Sequence, residues 1–187
     1  MMRPIFLLVA ALLAWPGHTL LAADPSSIET FIGRWKVSEI TSAAGDAAPD
    51  ALSVRIEADA DGFRMSWHDL GTSGDGGLGS EDVDARFLPS GRAGVFEYAP
   101  KSSSLLERMF ASPATGNPLD GETLLWARID GPVLAVYSMK IDPKGGFGLD
   151  HYSWTRIEDR LHLSFSKRTE DLGSATVIQG QLVKEGE

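Results

Sequence analysis

Leu52-Ser-Val-Arg-Ile-Glu-Ala58 sets apolar and polar side chains in strict alternation, and Phe63-Arg-Met-Ser-Trp67 repeats the pattern after Asp61-Gly62. A period of two marks a strand with one buried face, because successive side chains leave a pleated backbone on opposite sides. Turn-forming groups punctuate the rest: Pro89-Ser-Gly91, Asp130-Gly131-Pro132, Asp142-Pro-Lys-Gly-Gly146, Glu158-Asp159 and Leu172-Gly-Ser174. The runs between them are rich in Val, Ile, Leu, Phe, Tyr and Trp. Strands are therefore predicted near 31–40, 51–58, 62–69, 82–88, 93–99, 122–129, 132–142, 148–157, 160–168 and 175–184. Many short antiparallel strands joined in order favour an all-β, up-and-down barrel of about 8–10 strands over a sandwich, since closure removes exposed edges.

Two stretches break the rhythm. Gly71-Thr-Ser-Gly-Asp-Gly-Gly-Leu-Gly-Ser80 is glycine-rich and reads as an open connection. Lys101 to Gly121 is too long for a plain hairpin, and Ser104-Leu-Leu-Glu107 within it fits a capping box at a helix start. A short helix would gather Leu105, Leu106, Met109 and Phe110. It would either pack on the barrel rim or act as a lid over an open end.

Hairpin pairing predicts which side chains converge. With Glu158-Asp159 as a two-residue turn, Tyr152, Trp154, Arg156, Leu161, Leu163 and Phe165 share the inner face. His151, Ser153, Thr155, His162, Ser164 and Ser166 share the outer one. Around Asp130-Gly131, Leu124, Trp126, Arg128, Val133, Ala135, Tyr137 and Met139 fall together, and Leu125, Ala127, Ile129, Leu134 and Val136 oppose them. Both of those faces are apolar. The first set is placed inward, so Trp67, Trp126, Tyr137, Tyr152, Trp154 and Phe165 line the interior with Arg128. The other apolar face is then covered by the long loop, or it is a contact surface such as a homodimer through the 122–141 hairpin.

The N-terminus has a different character. Arg3 is the one charge before Asp24, Ile5 to Trp15 is an apolar run, and Leu20-Leu21-Ala22-Ala23 ends in small residues. That order is the layout of a secretory signal peptide over 1–23. It leaves a single domain over 24–187, large enough to bury a core. Only Arg3 among 17 basic and 26 acidic residues lies in the leader, so the mature balance is 16 against 26. Such an acidic chain is a poor partner for nucleic acid or anionic lipid. With no cysteine, its stability in an oxidising compartment rests on burial alone. No later apolar run approaches membrane-spanning length. Export is expected, to a bacterial periplasm or otherwise by secretion.

The first predicted strand opens with Thr30-Phe-Ile-Gly-Arg-Trp-Lys-Val37. Its Gly33-x-Trp35, followed by a ten-strand meander, resembles the calycins, the group of lipocalin and fatty-acid-binding barrels. That resemblance implies that Gly33 lets the chain bend into the first strand, that Trp35 plugs the closed end, and that Arg156 stacks on Trp35. The chain departs from the fatty-acid-binding branch: Thr41 to Ala51 is too short for a helix-turn-helix, and Val177 to Val183 lacks an Arg-x-Tyr carboxylate grip.

An interior lined by Trp67, Trp126, Arg128, Tyr137, Tyr152, Trp154 and Phe165 would suit a small hydrophobic or amphipathic ligand, or those aromatics would simply fill the barrel. Arg128 would either meet a ligand carboxylate or sit at the rim near Asp130. No cofactor, catalytic residue or metal ligand is assigned: Asp59-Ala-Asp61-Gly62 lacks the later ligands of a calcium loop, and Gly71-Thr-Ser73-Gly74 lacks nucleophile-elbow spacing. His151 and His162 fall too far apart on the sheet to share a metal. Two other readings stay open, an isomerase, cyclase or hydrolase on the same barrel, and a filled barrel acting as inhibitor or assembly partner through its outer face.

Overall fold

The computed structural model describes residues 27–42, 52–70, 82–100, 117–170 and 176–186. The predicted leader over 1–23, the glycine-rich stretch 71–80 and the capping box Ser104–Glu107 with its helix lie outside the described residues. A 3₁₀ turn over Ile28–Thr30, capped by the Ser27 side chain, leads into the sheet. Ten strands follow: β1 Gly33–Ser42, β2 Ser53–Asp59, β3 Gly62–His68, β4 Asp82–Pro89, β5 Val95–Ala99, β6 Leu124–Asp130, β7 Val133–Ile141, β8 Phe147–Ile157, β9 Arg160–Thr169 and β10 Thr176–Lys184. Each pairs antiparallel with its sequence neighbour, and β10 returns to β1 to close the barrel. Apart from another 3₁₀ turn at Pro118–Asp120, no helix occurs among the described residues.

The registers follow from turn chemistry. Trp154 pairs with Leu163, Tyr152 with Phe165 and Arg156 with Leu161, as a Glu158-Asp159 turn requires. Glu158 takes a positive φ of 55° there. Asp130 pairs with Val133, so the turn between β6 and β7 is Gly131-Pro132, one residue later than the expected Asp130-Gly131. The shift moves the pairing along by one residue on each strand and leaves each side chain on the same face as before. Gly131 supplies the positive φ, also 55°, that a tight hairpin needs.

Burial fixes the two faces. Leu125, Ala127 and Ile129 of β6, with Leu134 and Val136 of β7, are the buried inward set. Trp126 and Tyr137 are half-buried on the outside, and Arg128 is exposed. The inward placement expected for Trp126, Arg128 and Tyr137 is therefore corrected: the grouping was right and the side was wrong. Alternation distinguishes faces but not their direction, and here both faces are apolar. The smaller set fits an interior already crowded by aromatics, because a close-packed core has no room for a second indole and phenol.

The turns β2–β3, β4–β5, β6–β7 and β8–β9 all lie at one end, which is plugged. Trp35 is fully buried, and its Nε1 donates to Phe31 O at 2.8 Å. The Arg156 guanidinium stands 5.1 Å from the indole centroid and donates to Thr30 O and Glu158 O, both at 2.6 Å. Lys184 Nζ lies on the same ring at 5.9 Å. Gly33 has φ +147°, a strained value for any side chain, and a Cβ there would lie 2.7 Å from Lys184 Cε. Glycine, indole and arginine thus take the places that the calycin resemblance implied, and the closed ten-strand barrel is consistent with that fold.

Candidate functional site

Above this plug the interior is aromatic. Phe63 stacks on Phe87 at 5.0 Å and meets Phe96 edge-on at 5.1 Å. Higher up, Tyr152 lies parallel to Trp154 at 5.7 Å and against Phe165 at 4.7 Å. Trp67 meets Tyr152 and Trp154 edge-on at 5.9 and 6.4 Å. β3 and β8, which carry Trp67 and Tyr152, are five strands apart in either direction round the ring. Side chains from opposite walls therefore touch. Trp67, Tyr152, Trp154 and Phe165 come together as expected, as a packed layer in which none is more than 4% exposed.

The Tyr152 hydroxyl completes the crossing. It donates to Asp69 Oδ1 at 2.5 Å and accepts from the Leu70 amide at 3.0 Å, both just past the end of β3. Burial, the nearby Asp69 charge and this donated bond all raise the phenol's pKa, so it keeps its proton. Asp150 precedes Tyr152 by two residues on β8 and so shares its inward face. Lys167, directly opposite on β9, brings Nζ to 4.0 Å from Asp150 Oδ1. Burial is the main cause that raises the Asp150 pKa; Lys167 opposes it and Asp69 adds to it. Together Asp69, Asp150, Tyr152 and Lys167 form a polar ring over the aromatic layer, at the end opposite the Trp35 plug.

Two atoms here have no hydrogen-bond partner although both are buried: Trp67 Nε1 and Asp150 Oδ1. Among the described core residues the other side chains with a polar atom are Trp35 and Tyr152, both hydrogen-bonded, and Trp154. A buried polar atom without a hydrogen bond costs about 1–3 kcal/mol, so both of these need an explanation.

Comparison with models of known protein families and with characterised proteins finds no match for this chain. The site has to be read from its own chemistry.

On the outer face, Trp126, Tyr137 and His151 form a cross-strand stack, with ring centroids 4.9 and 4.6 Å apart and nearly parallel planes. Burial in the sheet, then the Arg168 charge, holds His151 below the ordinary imidazole pKa. Arg128 pairs with Asp130 at 2.7 Å, its rim role. A shallow groove of about 420 Å³ runs past Arg92, Glu97, Trp126, Arg128 and Tyr137. His68 faces outward to Asp82 Oδ1 at 3.2 Å, while Asp69 beside it turns to Tyr152. Among the described residues no group of three or more His, Asp or Glu side chains is placed to hold a metal ion.

Sequence reasoning missed Asp69, Asp150 and Lys167. The inward series through Tyr152 and Phe165 needed only one more step toward the end opposite the Trp35 plug to include Asp150 and Lys167. Asp69 carries no such signal, because alternation ends with β3.

Proposed function

We propose that the barrel binds a small amphipathic molecule at the end opposite the Trp35 plug. The apolar part of the ligand would lie against Trp67, Tyr152, Trp154 and Phe165, and its polar end would face Asp69, Asp150 and Lys167. The observation that carries this reading is a pair of buried polar atoms without a hydrogen-bond partner, Trp67 Nε1 in the aromatic core and Asp150 Oδ1 on a partly exposed residue beyond it. Buried polar groups in folded proteins are nearly always paired, so unpaired ones need a reason. A ligand that supplies both partners would be one. Affinity would come from burying its apolar surface at roughly 25 cal/mol per Å², less the cost of ordering it.

The acidic, cysteine-free composition fits an exported carrier released from the 1–23 leader into a periplasm. Native mass spectrometry of protein purified from its own source tests the reading. A co-purifying small molecule lost on Trp154→Ala supports it, and apo protein that also fails to quench or shift its tryptophan fluorescence with amphiphiles refutes it.

A second reading has its own observation. The Trp126–Tyr137–His151 stack sits outside the barrel, where two large rings have no core to fill. A contact surface on β6–β8, with a second copy or another protein, accounts for it. Sedimentation of wild type against Trp126→Ser separates the two readings, since a carrier stays monomeric and an assembling barrel loses its larger species.

A further inference from the structure

We propose that the outer face of the barrel carries a second binding site, for a neutral saccharide, seated on the free face of Trp126 between β5 and β6. This site is separate from the interior and does not depend on the binding reading above.

The ring stack places it. Trp126, Tyr137 and His151 lie on adjacent strands with centroids 4.9 and 4.6 Å apart and planes within 8° and 10° of parallel. Tyr137 is therefore covered on both faces, by Trp126 from β6 and by His151 from β8. Trp126 ends the row and turns its other face toward β5. Glu97 stands directly opposite it there, and Val95 stands opposite Arg128. The rings of β5 do not fill this place: Phe96 meets Phe63 edge-on, and both Phe96 and Tyr98 pack against the core. What remains is the groove of about 420 Å³ lined by Arg92, Glu97, Trp126 and Arg128. The Glu97 carboxylate and the Arg92 guanidinium have no hydrogen-bond or ion-pair partner among the described residues. Arg128 donates to Asp130 through Nη2 and has no other side-chain partner among them.

This chemistry suits a sugar ring. A pyranose has an apolar face of C–H groups and a rim of hydroxyls. The apolar face packs on the electron-rich face of an indole. Each hydroxyl both donates and accepts, so it matches a carboxylate that only accepts and guanidiniums that only donate. These groups are within reach of one ring. Directly opposed residues such as Glu97 and Trp126 have Cβ atoms about 5 Å apart, and Arg128, two residues along β6, lies about 7 Å from Trp126. A cation in the groove would meet Arg92 and Arg128, and an anion would meet Glu97, whereas a neutral polyol bonds to all of them.

Titration of the isotope-labelled protein with cellotetraose, maltotetraose and chitotetraose tests this, read by NMR at the Trp126 indole N–H and assigned with Trp126→Phe. Tetramethylammonium chloride and sodium benzoate serve as charged probes. At least one saccharide should move the signal with a Kd of about 1 mM or below, and bind tighter than either charged probe. Trp126→Ala should weaken that binding about tenfold or more. Glu97→Ala and Arg92→Ala should each weaken it about fivefold, the worth of one hydrogen bond. Arg92 is exposed in the β4–β5 turn, so its variant keeps the fold, and circular dichroism checks all three. The proposal is overturned if no saccharide moves the signal at about 10 mM, if a charged probe binds tighter than all three, or if the three substitutions leave binding unchanged. A Trp126 signal that shifts with protein concentration and ignores saccharide also overturns it, and leaves the face to assembly.

Discussion

Tyr152→Phe is the sharpest test of the barrel's internal construction. The ring is buried against Trp154, Phe165 and Trp67, and phenylalanine keeps those contacts. What disappears is the hydroxyl, with its 2.5 Å bond to Asp69 and the 3.0 Å bond it accepts from Leu70 N. A hydrogen bond to a charged carboxylate is worth about 1.5–3 kcal/mol, and an amide orphaned in the core costs about 1–3 kcal/mol. Leu70 is 1% exposed, so water cannot replace the lost acceptor without local opening. Offsetting these by the better burial of phenylalanine, a net loss of about 3 kcal/mol is expected. Urea unfolding followed by tryptophan fluorescence measures it. A double-mutant cycle with Asp69→Ala should return a coupling of about 1 kcal/mol or more. The same phenol gives a pH signature. Its pKa is raised in the fold above the ordinary 10.0, so the stability it contributes is complete below pH 10.0 and declines as pH rises beyond it. Ultraviolet titration should show one fewer phenol that ionises only on unfolding in Tyr152→Phe than in wild type. A stability loss under about 0.5 kcal/mol together with zero coupling would show that the hydroxyl does not tie β3 to β8.

Other expectations can be checked with the same equipment. Arg156→Met removes the cation over Trp35 and two bonds to backbone carbonyls, and should cost about 2–3 kcal/mol in urea; Arg156→Lys should recover less than half, since one ammonium cannot match the planar fork. Arg86 holds the Asp59 carboxyl below the ordinary 3.8 through a 2.5 Å bond, with a second bond from Ala60 N. In Arg86→Met, carbon-detected NMR should find the Asp59 pKa risen toward 3.8, and the stability gap from wild type, open above that pH, should close as pH falls through the depressed wild-type value. Folding also holds the His151 imidazole below its ordinary 6.5, so the unfolded chain takes up the proton first and stability drops as pH falls through 6.5 toward the depressed value. His151→Phe preserves a ring against Tyr137 and should flatten the melting-temperature profile across that window.

Much of this molecule is local and therefore legible. Alternation marked the strands at 52–58 and 63–67, where one-sided burial writes itself into every second residue, and turn-forming groups between apolar runs marked the rest. Glu158-Asp159 set its hairpin register, because a two-residue turn permits one pairing, whereas the expected Asp130-Gly131 turn lay one residue too early and still kept the same residues on each face. Gly33, Trp35 and Arg156 were readable through a short motif whose parts meet at a closed end. The candidate site was harder to find. Its aromatic layer was visible in Trp67, Tyr152, Trp154 and Phe165, but its polar ring was not. The inward series was not carried as far as Asp150 and Lys167, and nothing in the series near Asp69 points toward a tyrosine 83 residues away.

The sequence by itself determined the strands, their order and which residues share a side, since those depend on neighbours in the chain. Only the closed barrel decided which side is inside, sending Trp126, Arg128 and Tyr137 out and Leu125, Ala127 and Ile129 in. Both sides of that hairpin are apolar, and the choice between them turns on the volume left by side chains from the far wall. The Tyr152–Asp69 bond has the same origin: it exists because closure brings β3 opposite β8, a distance that no stretch of sequence encodes.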